Sequence, residues 1–266
     1  MNKKRLIASA LGVTFDVAYA AVLARGSALG YTLPTPAQQI KQNAYVLALK
    51  AAGIWALLDV LYVFATNGDS NFATLNWKAP TLFKCAKVNS PTFTANQGFT
   101  GNGTTSYLST GWVPSVNGVN YVLNDASFGL WINTEQAAGN DIVCGCDNGV
   151  TADYLICERL ADGQPQSVIN SALSQTAPVS TSLGFWGVNR TAAAVTGIFK
   201  NGVLLAAGVP LSSARTNREI FIGGRNNSGV FGNGTTKQFS NFWAGASLNG
   251  LELANYNAWN TYFTSL

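Results

Sequence analysis

The sequence predicts a mainly β protein: an antiparallel β-sandwich, with a helical hairpin before it and a helix at its C-terminal end. Apolar residues make up 47% of the 266 positions and charged residues 11%, and 27 glycines are spread along the chain. This composition favours short strands joined by tight turns. From about Leu58 onward, at least ten short apolar or alternating stretches are separated by Gly, Asn, Asp and Pro, among them 120–125 and 127–133. We therefore divide the chain into an N-terminal arm with a helical hairpin at 1–57 and a sandwich with its terminal helix at 58–266.

The helical hairpin is predicted from capping residues and from the helical spacing of apolar residues. Thr14 can cap a first helix that ends near Gly30. Thr35 can cap a second helix, which has Pro36 in its first turn and continues to Gly53. Two short helices cannot bury their apolar faces alone, so we expect them to lie against the main domain or a neighbouring chain.

The C-terminal helix is predicted to begin at Asn249, which is a good capping residue. Leu251, Ala254, Ala258 and Tyr262 follow at helical spacing and would form its apolar face. We expect this helix to cover one edge or end of the sandwich.

Two turn signals stand out in the strand-rich part. Asn201-Gly202 lies between apolar runs and predicts a two-residue hairpin, because both turn positions need positive φ. The pentapeptide GNGTT occurs twice, at 101–105 and 232–236. Neither copy has the Gly-Lys-Ser/Thr ending of a phosphate loop or the Gly-x-Gly-x-x-Gly spacing of a dinucleotide site. Both copies are therefore predicted to be turns that lead into sandwich strands.

Positive charge is concentrated near the N-terminus. Residues 1–56 hold six Lys or Arg and one acidic residue, a net charge of +5, whereas the other 210 residues hold ten basic and eleven acidic residues, a net charge of −1. An anionic partner would therefore meet the N-terminal part. The short basic run at 3–5 is too small to predict specific nucleic-acid binding.

The first residues allow three interpretations. Residues 1–20 resemble a secretory signal peptide, with a basic start, an apolar run and an Ala-Tyr-Ala ending. A membrane contact or span over 6–24 is opposed by Asp16, which would cost about 2.5–3.5 kcal/mol near the centre of a bilayer. We favour an arm that anchors the protein to a neighbouring protein or a second copy, through Lys3, Lys4, Arg5, Leu6 and Phe15.

The chain has few of the residue types and motifs that usually carry out catalysis or bind metal ions. The chain contains no histidine, which excludes imidazole zinc ligands, the Ser-His-Asp triad and the Cys-His pair. Sandwich glycosidases hold two carboxylates on one strand, and none of the four glutamates stands in their Glu-x-Asp-x-x-Glu pattern. We therefore predict that the protein is not an enzyme and binds no cofactor or metal. Calcium held by Asp147, Asn148 and Asp153 is the alternative to a polar hairpin tip.

The four cysteines do not form a Cys-x-x-Cys pair. Cys144 and Cys146 would share one face of a strand. For these two and for Cys85 and Cys157 we favour buried free thiols, with a disulfide or a metal site as the alternative.

Aromatic and amide side chains indicate where a sugar would bind. Loops on a rigid scaffold usually hold binding sites, and rings that reach solvent can stack on a ligand. Trp112 follows a glycine, and we expect it to be more exposed than the tryptophans in apolar strands. The predicted glycan-binding residues are Tyr107, Trp112, Arg225, Asn226 and Asn227, of which the last three provide several directed hydrogen bonds.

Five stretches in a fixed order carry a resemblance to a known family. They are 98–112 (GFTGNGTTSYLSTGW), 126–133 (ASFGLWIN), 184–208 (GFWGVNRTAAAVTGIFKNGVLLAAG), 218–229 (REIFIGGRNNSG) and 239–263 (FSNFWAGASLNGLELANYNAWNTYF). Their order resembles the concanavalin A-like, or laminin G-like, jelly roll over roughly residues 28–266. With the helical lead-in and the terminal helix, the chain resembles domains of bacteriophage virion proteins such as fibres, spikes and surface decorations.

The resemblance implies a structural protein on the surface of a phage particle. Such a protein would contact other virion proteins, form a homo-oligomer and bind glycans of the host cell surface. The alternative is a bacterial carbohydrate-binding lectin or a glycoside hydrolase of the same sandwich fold.

Overall fold

Two antiparallel sheets form the body of the protein, and helices cover the outer face of one of them. The computed structural model describes residues 14–135, 141–156, 164–177 and 181–266. The predicted fold class, a mainly β sandwich with N-terminal helices and a C-terminal helix, is confirmed.

The helices and strands have the following bounds. The helices are α1 (Val17–Ala28), α2 (Pro36–Ala51), α3 (Ile54–Leu57), α4 (Pro114–Asn117) and α5 (Glu252–Phe263), with a 3₁₀ turn at Phe72–Thr74. The strands are β1 (Leu58–Val63), β2 (Ala86–Val88), β3 (Thr92–Thr94), β4 (Gly98–Thr100), β5 (Tyr107–Ser109), β6 (Ala126–Ile132), β7 (Cys144–Asp147), β8 (Ala152–Ile156), β9 (Gln166–Ser171), β10 (Gln175–Thr176), β11 (Gly184–Ala192), β12 (Val195–Lys200), β13 (Val203–Gly208), β14 (Phe221–Ile222), β15 (Arg225–Asn227), β16 (Val230–Gly232) and β17 (Gln238–Gly245).

The two sheets differ in what they contact. The first sheet has the order β13-β12-β11-β6-β17-β4-β3, with β1 also paired to β17. The second sheet has the order β10-β9-β8-β7-β14-β5-β2, and the β15–β16 hairpin joins it beside β7. The pairing of β15 with β7 is parallel and every other strand pair of the described residues is antiparallel.

The core between the sheets follows the two-residue period of the strands. On β6, Phe128, Leu130 and Ile132 point into this core, while Trp131 points to the opposite face. On β7, Cys144 and Cys146 point inward in the same way, and they and Cys85 are buried, as predicted. Cys157 lies outside the described residues.

A helical layer covers the outer face of the first sheet. Tyr45 of α2 and Trp259 of α5 pack with their rings 5.6 Å apart, in a buried cluster that also holds Trp243 of β17 and Phe185 of β11. The expectation that the N-terminal helices lie against the main domain is confirmed for the part that the structure describes. Phe15, predicted to be an anchoring residue, packs within the same cluster, 5.5 Å from the ring of Tyr19.

The helix starts differ from the predicted ones. Asp16, not Thr14, caps α1, and its carboxylate accepts a hydrogen bond from the Ala18 N–H at 2.9 Å. The cap of α2 by Thr35 is confirmed. The predicted cap of the last helix is wrong, because Asn249 takes a positive φ of 41° in a turn and Leu251 occupies the N-cap.

The predicted apolar face of α5 is confirmed in part. Tyr262 is buried, and Leu251, Ala254 and Ala258 pack against the same cluster while partly buried. Asn255 and Trp259, which the prediction left out, are also buried, and the ring of Trp259 contacts those of Tyr45 and Tyr262.

A strand was predicted at 120–125, and this prediction is wrong. The structure has only an isolated bridge between Val122 and Asp125. The reason is the carboxylate of Asp59, which accepts hydrogen bonds from the N–H groups of Asn120 at 2.9 Å and Tyr121 at 2.9 Å. These amides are therefore not available for strand pairing.

The predicted N-terminal anchor falls mostly outside the described residues. Lys3, Lys4, Arg5 and Leu6 lie there, as do residues 6–13 of the alternative membrane segment 6–24. In the described part of the chain, no helix has both the length and the apolar character required to cross a bilayer.

Candidate functional site

Aromatic side chains gather on the outer face of the second sheet. In β14, Ile222 points into the core, so its neighbour Phe221 points outward. In β5, Leu108 points inward and Tyr107 outward by the same alternation. The register pairs Phe221 with Ser109, and Tyr107 therefore lies diagonally next to Phe221.

Three of these rings are in direct contact and form a surface that we call the aromatic platform: Tyr107, Phe221 and Phe231. The rings of Tyr107 and Phe231 stack with centroids 4.4 Å apart and planes 7° apart. The ring of Tyr107 is 4.3 Å from that of Phe221. Phe221 is only 4% exposed because the other two cover it, whereas Tyr107 and Phe231 are half-buried. The platform therefore has a buried base and an accessible upper layer.

The two GNGTT turns position this stack. The first turn ends two residues before Tyr107, and the second begins directly after Phe231. In the first turn, the side-chain oxygen of Asn102 accepts hydrogen bonds from the N–H groups of Thr104 at 3.0 Å and Thr105 at 2.8 Å. The two copies also touch, since a β-carbon on Gly234 would lie 2.7 Å from the carbonyl oxygen of Gly103. The prediction that both copies are turns is confirmed, and glycine is required where they meet.

Two charged groups lie in this part of the second sheet, Glu219 near the Tyr107 ring and Arg225 in the β15–β16 hairpin. Arg225 forms an ion pair with Asp147 at 2.8 Å, and its guanidinium lies 5.8 Å from the ring centre of Tyr154. The carboxylate of Glu219 accepts hydrogen bonds from the Ser109 hydroxyl at 2.5 Å and the Gly111 N–H at 2.6 Å. The platform thus lies beside a fixed carboxylate, that of Glu219.

The Tyr107 hydroxyl stays protonated over the physiological range. Burial and the nearby carboxylate of Glu219 both raise the pKa of Tyr107. A protonated phenol donates one hydrogen bond and accepts others, so this group can contact a ligand hydroxyl in either role.

Of the predicted glycan-binding residues, Tyr107 belongs to the platform. The register pairs Phe231 with Asn226, so Arg225 and Asn227 point to the opposite side of the β15–β16 hairpin from Phe231. Arg225 lies there beside Asp147 and Tyr154. Asn226 itself is structural: its amide donates to the Glu219 carbonyl at 3.1 Å and accepts from the Gly229 N–H at 2.8 Å. Asn226 is 4% exposed, so it does not present its side chain to a ligand.

The prediction that Trp112 is exposed is wrong. Its side chain is 0% exposed and meets the ring of Tyr121 edge-on, with centroids 5.5 Å apart. Its carbonyl accepts a hydrogen bond from the Ile220 N–H at 3.2 Å, which continues the pairing of β5 with β14. This pairing fixes the backbone after Gly111 and directs the indole into the core.

Sequence reasoning missed Phe221, Phe231 and Tyr154. Phe221 and Tyr154 each stand next to a core residue in a strand, so the alternation could have marked them as outward. Phe231 is a single aromatic in a loop of glycines and amides, and that isolation was an available signal for exposure. The sequence does not show that these three side chains lie close together, because their proximity depends on strand register.

The predicted calcium ligands are not brought together. Asp147 pairs with Arg225, whereas Asp153 is fully buried and accepts hydrogen bonds from the Tyr121 hydroxyl and the Asn170 N–H, both at 2.7 Å. Burial raises the pKa of Asp153. Asn148 uses its side-chain oxygen to close its own turn. The described residues contain no group of three or more acidic or thiol side chains placed to hold a metal ion.

A groove of about 520 Å³ lies on the other side of the molecule, between α2 and α5. Its walls are mainly the methyl groups of Ala44, Ala48, Ala254 and Ala258. Asn257 and Thr261 also line it, and the Lys41 ammonium at its edge is bound to the Ser265 carbonyl. Its two aromatic rings, Tyr45 and Tyr262, are buried and do not present a face to a ligand. The aromatic platform is therefore the better candidate for ligand recognition.

Comparisons with known proteins bear on the fold. No protein-family model and no curated protein matches the chain. Among solved structures, domain 4 of AbnA, a GH43 extracellular arabinanase from Geobacillus stearothermophilus solved with arabinotriose, is similar at a TM-score of 0.52 and 13% identity, over 75% of this chain and 98% of that one. A Trypanosoma rangeli sialidase mutant with trans-sialidase activity is similar at a TM-score of 0.52 and 12% identity, over 83% of this chain and 39% of that one. An HCR/D mutant is similar at a TM-score of 0.53 and 11% identity, over 77% of this chain and 52% of that one.

These likenesses concern architecture. The chain spans nearly the whole of the arabinanase domain but only about half or less of the other two proteins. They agree with the predicted concanavalin A-like sandwich, and at such low identity they show the fold alone. None of these matched structures is described as a phage protein.

Proposed function

We propose that the protein is a glycan-binding sandwich without catalytic activity, and that it recognises sugar at the aromatic platform. The observation that carries this proposal is the stacked pair Tyr107–Phe231, half-buried on the outer face of the second sheet, with the Glu219 carboxylate near the Tyr107 ring. The fold it shares with a domain of an arabinanase and with a sialidase supports the same reading.

The chemistry of the platform suits a sugar. Pyranose and furanose rings have C–H faces that pack on aromatic rings, and hydroxyls at their edges that need directed hydrogen bonds. The platform provides the rings, and the Tyr107 hydroxyl provides a hydrogen-bond donor and acceptor at their edge. The acidic groups on this face already serve other partners, since Asp147 pairs with Arg225 and Glu219 accepts two hydrogen bonds. We infer binding and not hydrolysis, because neither carboxylate is free to act as an acid or a nucleophile.

A glycan array followed by calorimetric titration tests this proposal. Replacing Phe231 by alanine removes the exposed ring of the stack, and we expect the dissociation constant of the best glycan to rise about tenfold. Tyr31→Ala is the matched control, because Tyr31 is a half-buried aromatic residue in the loop between α1 and α2. The proposal fails if the wild-type protein binds no glycan on the array, or if Phe231→Ala binds as tightly as Tyr31→Ala.

The second part of the proposal concerns where the protein is located. We propose that the protein is displayed on a phage particle, next to other virion proteins; this rests on the sequence resemblance described above. Locating the chain in the density of an intact particle tests it directly, and a chain found only free in the host would contradict it. The alternative, a bacterial lectin or glycoside hydrolase, predicts either secretion without a particle or release of sugars from labelled oligosaccharides.

A further inference from the structure

One edge of the first sheet, β13, differs from the other edges of the described sheets. The strand orders end at β13 and β3 in the first sheet and at β10 and β2 in the second, and β1 and β16 are further edges because each pairs with one strand alone. β16 has three residues, and β1 is covered on its outer side, where the Leu61 N–H donates to Asn76 and the Leu61 carbonyl accepts from the Trp77 N–H. β3 and β2 have three residues each and β10 has two, and Lys87 lies in β2. Short strands and lysines are the usual protection of a sheet edge against pairing with another strand. β13 has six residues and none of them is charged.

The side chains of this edge are exposed and apolar. Val203 and Leu204 begin the strand, and Val209 and Leu211 follow it, at exposures between 50% and 80%. Leu205 and Ala206, by contrast, pack against the core and hold the strand in place. Exposed apolar side chains therefore lie at both ends of the strand, and exposed apolar surface of this kind often marks an interaction site.

The charges that flank this edge are directed into the molecule. Positions 201–214 contain no Lys, Arg, Asp or Glu. At one end, the Lys200 ammonium hydrogen-bonds to the Thr181 carbonyl and lies 5.0 Å from the ring centre of Trp186. At the other end, the Arg215 guanidinium donates to three backbone carbonyls of the segment 114–121. No charge on this edge would attract a charged partner or repel a second copy.

We propose that two copies of the chain associate through β13, antiparallel and edge to edge about a two-fold axis. Among the described residues β13 pairs with β12 alone, so its outer backbone groups are available for this pairing. An antiparallel strand pair is self-complementary, because a two-fold axis places the same donors, acceptors and apolar side chains opposite each other. The first sheets of the two copies then form one sheet of sixteen strands, eight from each. Pro210 has no N–H and limits the pairing at the end of the strand.

The dimer leaves the aromatic platform accessible, because the platform belongs to the second sheet. The inference is independent of glycan binding and is tested on the same full-length protein without any sugar.

Light scattering coupled to size exclusion, over a series of protein concentrations, gives the oligomeric state. We expect the wild-type chain to have twice its monomer mass of 28.0 kDa. Val209→Lys places a positive charge at the edge, and the two-fold axis places the same charge of the second copy on the facing edge. We expect the dimer dissociation constant to rise by at least about tenfold. Val116→Lys is the matched control, since Val116 is 74% exposed and Val209 80%, and it should remain dimeric.

Hydrogen exchange of the amides in 203–208 locates the contact. These amides should be protected in concentrated wild-type protein, and should lose protection on dilution and in Val209→Lys. Ala207→Lys provides a second edge variant with the same expectation. A wild-type chain that is monomeric at millimolar concentration would overturn the proposal. So would a dimer that persists in both edge variants while the 203–208 amides exchange freely.

Discussion

Replacing Trp259 by alanine tests whether the helical layer and the sandwich unfold as one unit. Trp259 is 0% exposed, and its ring lies 5.6 Å from Tyr45 of α2 and 5.5 Å from Tyr262 of its own helix. Truncating a buried tryptophan to alanine costs about 3–5 kcal/mol. For a chain of this size, that loss lowers the melting temperature by roughly 6–20 °C.

Scanning calorimetry and urea denaturation measure this effect. If the helices are part of the folded unit, the variant unfolds in one transition, as the wild type does, but at a lower temperature. Leu253→Ala, on the same helix but 52% exposed, should change stability by less than about 0.5 kcal/mol. A small early transition, with the main transition unmoved, would refute the reasoning and would make the helices a detachable anchor.

Three further predictions concern single positions. In Gly224→Ala the new β-carbon would lie 2.3 Å from Cε2 of Phe231, so the ring must shift; we expect a stability loss of about 1–3 kcal/mol and weaker glycan binding in the same titration as above. Burial raises the pKa of Asp153 above its ordinary value of 3.8, so its contribution to stability is full below that value and is lost as pH rises through the raised pKa. Asp153→Asn should remove this loss. The urea midpoint of the variant, relative to that of the wild type, should therefore rise from acid to neutral pH; a difference between the two midpoints that stays constant with pH would contradict the assignment. Gly202 and Gly30 both have positive φ, of 77° and 73°, but only at Gly202 would a β-carbon meet backbone, at 2.5 Å. Urea denaturation should therefore show Gly30→Ala losing about 1–2 kcal/mol and Gly202→Ala clearly more; equal losses would argue against the contact with α5.

The fold was predictable where short-range patterns decide structure. The alternation Phe128, Leu130, Ile132 of β6 and the Asn201-Gly202 turn, with φ of 50° and 77°, both appear as expected. The errors occur where distant residues decide. The Asp59 carboxylate takes the amides that would have paired a strand at 120–125.

The start of α1 shows the same limit. Thr14 and Asp16 are both capping residues, and the sequence alone does not distinguish them. In the fold, the Asp16 N–H donates to Asn43 at 2.7 Å, and its carboxylate pairs with Lys50 at 2.6 Å. Burial acts to raise the pKa of Asp16, but the bonds from Lys50 and the helix amide outweigh it and lower that pKa. Contacts from the second helix therefore select the cap.

The site was predictable in part. Tyr107 and Arg225 were identified from residue type and loop position; Tyr107 lies in the aromatic platform, whereas Arg225 points to the opposite side of the β15–β16 hairpin from Phe231. Trp112 was placed outside because it follows a glycine, yet strand pairing with Ile220 directs it inward. Phe231 joins Tyr107 only because two strand pairs far apart in sequence bring the GNGTT turns together, and no local pattern carries that information.

The second sheet has one region that does not tolerate changes in the chain, where the two GNGTT turns meet, and another that does. Neither turn could be lengthened without displacing the other, because glycine backbone meets backbone there. The tip of the neighbouring hairpin is different: no atom lies within 4 Å of a β-carbon built on Gly229, and Val230 is 69% exposed. A library randomised at Asn227 and Val230, with Gly229 kept because its φ of 100° favours glycine, would therefore change the surface that an approaching molecule meets while the two turns beneath it stay in place.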